Sequence, residues 1–180
     1  MANRRELPWE KLYNFILHCG NVHEPYQFSV EILSGLREFC QFDLALVYFL
    51  DGNRKVRDQY LINISERWSN MYLEYYSKLN VDLYDVSREF FEPASKADVY
   101  IHDWTKEPTN EFVSDYIHAM GLKRTLGFGL FDLNRVPRTV FALDRLSDAP
   151  FTEQEIAILR HLVPQLNNLH KNFFMYPTNY

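Results

Sequence analysis

Hydrophobic positions along the chain switch between two periods, and the switches mark the elements. Trp9, Leu12, Phe15, Ile16 and Cys19 recur at three- and four-residue spacing, which predicts a helix over 8–19. His23-Glu24-Pro25 breaks it, and Phe28, Ile32, Leu33, Leu36 and Phe39 resume the same period in a second helix over 26–39. Then the period changes. Residues 42–50 form an apolar run that reads as a strand, and Asp51-Gly52-Asn53 is a turn of the kind that joins antiparallel strands. The returning strand, 55–62, sets Val56, Asp58, Tyr60 and Ile62 on one face.

A third helix is predicted over 65–79, with Ser65 as its cap and Glu66 in its first turn. A shorter helical stretch over 85–91 and a short strand over 97–101 follow. Residues 108–120 read as another helix, with Pro108 near its start and Gly121 past its end. Strands 124–131 and 138–143 flank a polar loop containing Asn134 and Pro137. Thr152 with Glu155 forms a capping-box pattern that opens a helix running to about residue 174. This order predicts one α/β (α+β) domain over residues 1–180, an antiparallel sheet of about five strands with helices on both sides.

Composition adds one unusual feature. Aromatic residues make up 16% of the chain, with 14 Phe, 12 Tyr and 3 Trp. Tyr and Trp combine an apolar body with a polar tip, so the surplus favours a pocket as well as a core. The formal net charge of −5 argues against DNA binding by these residues, since phosphate contacts need clustered Lys and Arg. No apolar run is long enough to span a bilayer, and no signal-peptide pattern opens the chain. Cys19 and Cys40 read as reduced core residues, so a cytoplasmic protein is expected.

Motifs for catalysis fail in turn. Gly127-Phe128-Gly129 lies in a strand and opens no helix, so it is not a phosphate loop. No nucleophile elbow or Cys-x-x-Cys occurs, and the six histidines never pair at metal-ligand spacing on one helix face. His102-Asp103 is adjacent on a strand, which aims the two side chains to opposite faces. The chain is therefore expected to have no catalytic residues, no metal site and no cofactor. Trp68, Tyr72 and Tyr76, by contrast, recur at i, i+4, i+8 and project from one helix face, which Tyr75 and Leu79 extend. They form either a core stripe or the wall of a ligand pocket, and polar tips suit the second because each needs a hydrogen-bond partner.

With Asp85 nine residues after Tyr76, this stripe resembles the ligand-sensing domain of LuxR-type transcription regulators. The resemblance implies a GAF/PAS-like α-β-α sandwich whose aromatics wall a pocket and whose Asp accepts a hydrogen bond from a ligand amide. Tyr100 or Trp104 falls where the family places a Trp that hydrogen-bonds a ligand carbonyl. Ala119-Met120-Gly121-Leu122, Gly127, the apolar strand 140–143, and Phe151-Thr152-Glu153-Gln154-Glu155 with Leu162-Val163-Pro164-Gln165-Leu166 resemble its last helix, hairpin and closing helix. Two positions depart from the quorum-sensing members: Val86 follows Asp85 where they carry Pro, and Tyr72 stands where Trp is usual. The family's helix-turn-helix output domain is not in these residues, so DNA would be reached only through a segment or partner outside them.

The expected function is that of a small-molecule-binding sensor domain of a LuxR-like regulator, not an enzyme. The alternative is a GAF-like binder or a dimerisation module acting through another output. Ligand contacts are expected from Trp68, Tyr72, Tyr76, Asp85, Tyr100 and Trp104, with Val47 and Phe49 or their neighbours as the floor. A homodimer through the C-terminal helix is expected as well, because Leu166, Leu169, Phe173 and Phe174 continue an apolar stripe past Pro164; the alternative is that the first helix, through Trp9, Leu12 and Phe15, folds back to cover that patch within one chain.

Overall fold

The computed structural model describes residues 6–78 and 98–175. Five strands, β1 (Leu44–Leu50), β2 (Val56–Ile62), β3 (Tyr100–Asp103), β4 (Arg124–Phe131) and β5 (Pro137–Arg145), form one antiparallel sheet in the order β2-β1-β5-β4-β3. Helices α1 (Trp9–Gly20), α2 (Pro25–Leu36) and α4 (Glu153–His170) cover one face. The other face carries α3 (Glu66–Glu74) and a π-helix, Phe112–His118. The fold class is thus α+β, with the five antiparallel strands that the alternation predicts.

Side-chain alternation sends every second residue of the central strands to each layer. Ala45, Val47, Leu126, Phe128, Phe141 and Leu143 point into the core beneath α1, α2 and α4. Phe128 and Phe141 are cross-strand partners and stack with centroids 4.5 Å apart. The α1–α2 contact is equally tight: a Cβ on Gly35 would lie 2.3 Å from the Phe15 ring, so only glycine admits this approach. Glu24 caps α2 by accepting from the Tyr26 and Gln27 amides, ahead of Pro25 in the first turn. Thr152 and Glu155 close the capping box of α4. Glu155 also takes Arg145 at 2.5 Å, which ties the end of β5 to the start of α4.

Several predicted elements change form. Helix α3 ends at Glu74, and Tyr76 falls in a following 3₁₀ turn, Tyr76–Lys78, so the aromatic stripe bends at its third member. Ser65 stands at the cap position without a side-chain cap bond. In the β1–β2 hairpin it is Arg54, not Gly52, that adopts a positive φ, while the Asp51 carboxylate accepts from the Asn53 and Lys55 amides. A register shift in that ladder moves Val56 to the α3 side, although Tyr60 and Ile62 stay on the other. Among the described residues the third strand spans Tyr100–Asp103, two residues past its predicted end, and β5 likewise continues two residues past its own. The stretch predicted as a helix over 85–91 lies outside the described residues, as does Asp85.

The apolar patch predicted on the C-terminal helix is covered within the chain. Leu166 is fully buried, Leu169 and Phe173 pack on the core, and Phe173 meets Phe28 at 5.3 Å. The Arg138 guanidinium lies 4.6 Å from the Phe174 ring. On α1, Trp9, Tyr13 and Leu17 form an exposed i, i+4, i+8 row. Among the described residues, no helix is long and apolar enough to cross a membrane.

Candidate functional site

Between the sheet and the layer of α3 and the π-helix lies a cavity of about 600 Å³. Its floor is Leu46, Tyr48 and Leu50 of β1, Thr125 of β4, and Val140, Ala142 and Asp144 of β5. Tyr72 and Leu73 of α3 and Phe112, Tyr116 and Ile117 of the π-helix form the opposite wall, with Trp104 at one side. Widening the turn from α to π places Phe112, Tyr116 and Ile117 together on the buried side. On β4, Gly127 and Gly129 share the face of Thr125 by alternation and add no side chains to it.

Of the residues expected to contact a ligand, Tyr72 and Trp104 line this cavity. Trp68 and Tyr76 stand behind the wall: Trp68 meets Tyr116 edge-on at 5.6 Å, and Tyr76 packs on Phe112 and Tyr116 at 5.3 and 5.2 Å. Tyr100 lies beside the cavity on β3 and hydrogen-bonds His102, whose ring packs on Trp104 at 3.9 Å. Val47 and Phe49 are a correction. They face the opposite layer, where Val47 is fully buried and Phe49 stacks on Tyr26 at 5.0 Å. Their neighbours Leu46, Tyr48 and Leu50 make the floor instead, because a slip of one residue turns a strand's side chain to the other face.

Two polar relays are built into the walls. In the first, the Trp104 indole N–H donates to Thr125 Oγ1 at 2.7 Å, and that hydroxyl donates to Asp144 Oδ1 at 2.5 Å. Burial pushes the Asp144 carboxyl up to about 7, and the Thr125 hydrogen bond pulls it part of the way back. In the second, Tyr48 donates to Ser69 Oγ at 2.9 Å and Ser69 donates to Gln59 Oε1, which directs the Tyr48 tip away from the cavity. Burial holds the Tyr48 phenol up to about 12. The Tyr116 phenol is raised as well, by burial first and then by Tyr48 and Asp144. Tyr48 and Tyr72 lie nearly parallel, 6.1 Å apart.

Thr125, Tyr116 and Asp144 were missed in the sequence. The available signal was alternation: extending the Val140, Ala142 series by one step reaches Asp144, which a strand ending at Leu143 excludes. Cys19 and Cys40 lie in the opposite core, away from the cavity, where burial pushes both thiols up to about 12. Among the described residues, no group of three His, Cys, Asp or Glu gathers to hold a metal. The cavity can therefore enclose an apolar body and offer it the Asp144 carboxyl, the basic side chains of Arg54, Lys55 and Lys78, hydroxyls and aromatic faces.

No family model matches the chain, and no curated protein matches it in sequence. Solved structures do match in fold. The N-acylhomoserine lactone dependent LuxR family transcription factor CepR2 from Burkholderia cenocepacia aligns over 93% of this chain and 94% of its own, with TM-score 0.61 and 15% identity. The phycoerythrobilin-bound GAF domain of a cyanobacterial phytochrome aligns over 93% and 96%, with TM-score 0.61 and 13% identity. The GAF domain of a phosphoenolpyruvate-protein phosphotransferase from Acinetobacter aligns over all of both chains, with TM-score 0.59 and 12% identity. At such identities the likeness is one of fold: the chain has the GAF-like α+β architecture.

Proposed function

We propose that this domain is a small-molecule sensor of the LuxR-like regulator type, and that it binds its ligand in the cavity between the sheet and α3. The observation that carries the reading is the contrast between a filled core on one face and about 600 Å³ of aromatic-walled space on the other. Similarity to a LuxR family factor named for its lactone dependence supports it, as do the aromatic stripe and the alignment over nearly the whole chain. The domain acts by binding, without catalysis, and its output reaches DNA through a separate domain or partner. A second reading, a GAF-like binder with another output, draws on the equal TM-score of the bilin-bound GAF domain.

Native mass spectrometry of the purified chain tests the ligand-binding reading. A co-purifying small molecule, lost on substitution of Ala142 by Leu, supports it; a chain that excludes both co-purifying molecules and apolar dyes refutes it. A homodimer is part of the proposal, but its surface moves from α4 to the exposed Trp9, Tyr13 and Leu17 row of α1. Sedimentation of Leu17→Glu beside the parent chain checks this: the parent sediments as a dimer and the variant as a monomer.

A further inference from the structure

Asp144 is the most deeply buried charge-bearing group on the cavity face, 3% exposed, and its hydrogen bonding is directional. A Trp indole can only donate, so Thr125 accepts from Trp104 and gives its single hydroxyl proton to Asp144 Oδ1. Oδ1 is thereby an occupied acceptor. No further side-chain hydrogen bond or ion pair engages the carboxyl among the described residues, and Oδ2 is left to the cavity. The neighbouring Arg145 is committed elsewhere, to Glu155 and to the Gln41 carbonyl.

The surroundings favour a positive partner for that oxygen. Tyr48, Tyr72, Trp104, Phe112 and Tyr116 all border the same space, and aromatic faces attract cations. The Tyr116 hydroxyl has no hydrogen-bond partner among the described residues and offers a second acceptor. Basic residues do reach the cavity: Arg54 and Lys55 belong to the β1–β2 hairpin and Lys78 to the 3₁₀ turn after α3, and among the described residues none of the three pairs with Asp144. Asp144 pairs with Leu44 at the other end of β1, about 20 Å away at about 3.3 Å per residue. A volume of about 600 Å³ spread over that length leaves a mean cross-section of about 30 Å², the width of one chain or one ring. A neutral donor would satisfy Oδ2 but leave a buried charge uncompensated, whereas an ammonium supplies donors and the neutralising charge together.

We infer that Asp144 anchors the ligand, and that the ligand is a slender apolar molecule bearing a protonated amine, held between the Asp144 carboxylate and the aromatic walls. This rests on the ligand-binding reading above. Octylamine and octan-1-ol share one chain and differ in the head group, so calorimetric titration of the full chain with each separates the two claims. The parent chain binds octylamine about ten- to a hundredfold more tightly than octanol, the range expected for hydrogen bonds to a charged group. Asp144→Asn loses that preference while its affinity for octanol stays the same; Asp144→Ser replaces it if the Asn variant fails to fold. Equal affinities in the parent, or a preference that survives loss of the carboxylate, overturn the anchor while octanol binding leaves the cavity reading standing. Binding of neither probe overturns both.

Discussion

On the face covered by α1, α2 and α4, Val47, Leu126 and Leu143 are fully buried and Phe128 stacks on Phe141 at 4.5 Å. On the opposite face, alternate residues of the same strands, Tyr48, Thr125, Ala142 and Asp144, border a cavity of about 600 Å³. The backbone is common to both, so the difference lies in side-chain chemistry. Aliphatic side chains and Phe carry no polar atoms and close on one another to native density. Tyr and Trp bring tips that need partners, and here those partners are other wall residues: Ser69 for Tyr48 and Thr125 for Trp104. These two tips are satisfied beside a space instead of within a packed core.

The largest effect separates the faces by truncation. Leu143→Ala opens a void in the packed layer and costs about 2–5 kcal/mol, whereas Leu46→Ala enlarges existing space and costs about 1–2 kcal/mol. Urea unfolding of the two variants measures both; equal losses would mean that the cavity face is as tightly packed as the other.

Insertion gives the mirror image. Ala45→Leu overfills the packed face and destabilises by about 1–3 kcal/mol. Ala142→Leu, on the cavity face, is accommodated with little loss of stability and abolishes octanol binding. Thermal melts alongside a titration distinguish them, and a destabilised Ala142→Leu that still binds octanol breaks the comparison.

The faces also oppose each other in pH dependence. Asp144 has its folded pKa raised to about 7, so its contribution is fully present below the unfolded value of 3.8 and is lost as pH rises through about 7. His170, buried on the packed face with Nε2 2.9 Å from Thr139 Oγ1, has its value lowered by burial to about 4. Its contribution is present above the ordinary 6.5 and is lost as pH falls toward 4. Between these limits the slopes cancel in part. Asp144→Asn should make the melting temperature climb more steeply from pH 4.5 to 6.5, and His170→Asn should flatten or reverse it, each by a few degrees. Parallel profiles for all three chains would remove the assignment.

Trp104→Phe is the smallest change. It keeps most of the ring but deletes the indole N–H to Thr125, a loss of about 1 kcal/mol in urea unfolding. Thr125 still donates to Asp144, so the preference for octylamine persists in the variant. Loss of that preference would place the ligand on Trp104 instead.

Among the described residues, element order, the antiparallel sheet and the capped closing helix were legible in the sequence, because each rests on local periodicity or on a cap three residues long. Thr152 and Glu155 need only each other to close the box, and Phe28, Ile32 and Leu33 lie on one helix face in any fold. Tyr72 was legible as a candidate pocket residue by type and spacing, and Trp104 only through the resemblance to LuxR-type sensors. Which face of β1 is hollow was not, since Val47 and Tyr48 are apolar alike and only the helices packed above them decide the parity. The register shift that turns Val56 over, and the π-helix that gathers Phe112 and Tyr116, likewise depend on what lies opposite in space. Asp144 shows the limit best: on the chain it reads as a polar residue at a strand's end. Its buried position in the cavity follows only when β1 and β4 flank β5 and bring Thr125 to its carboxyl.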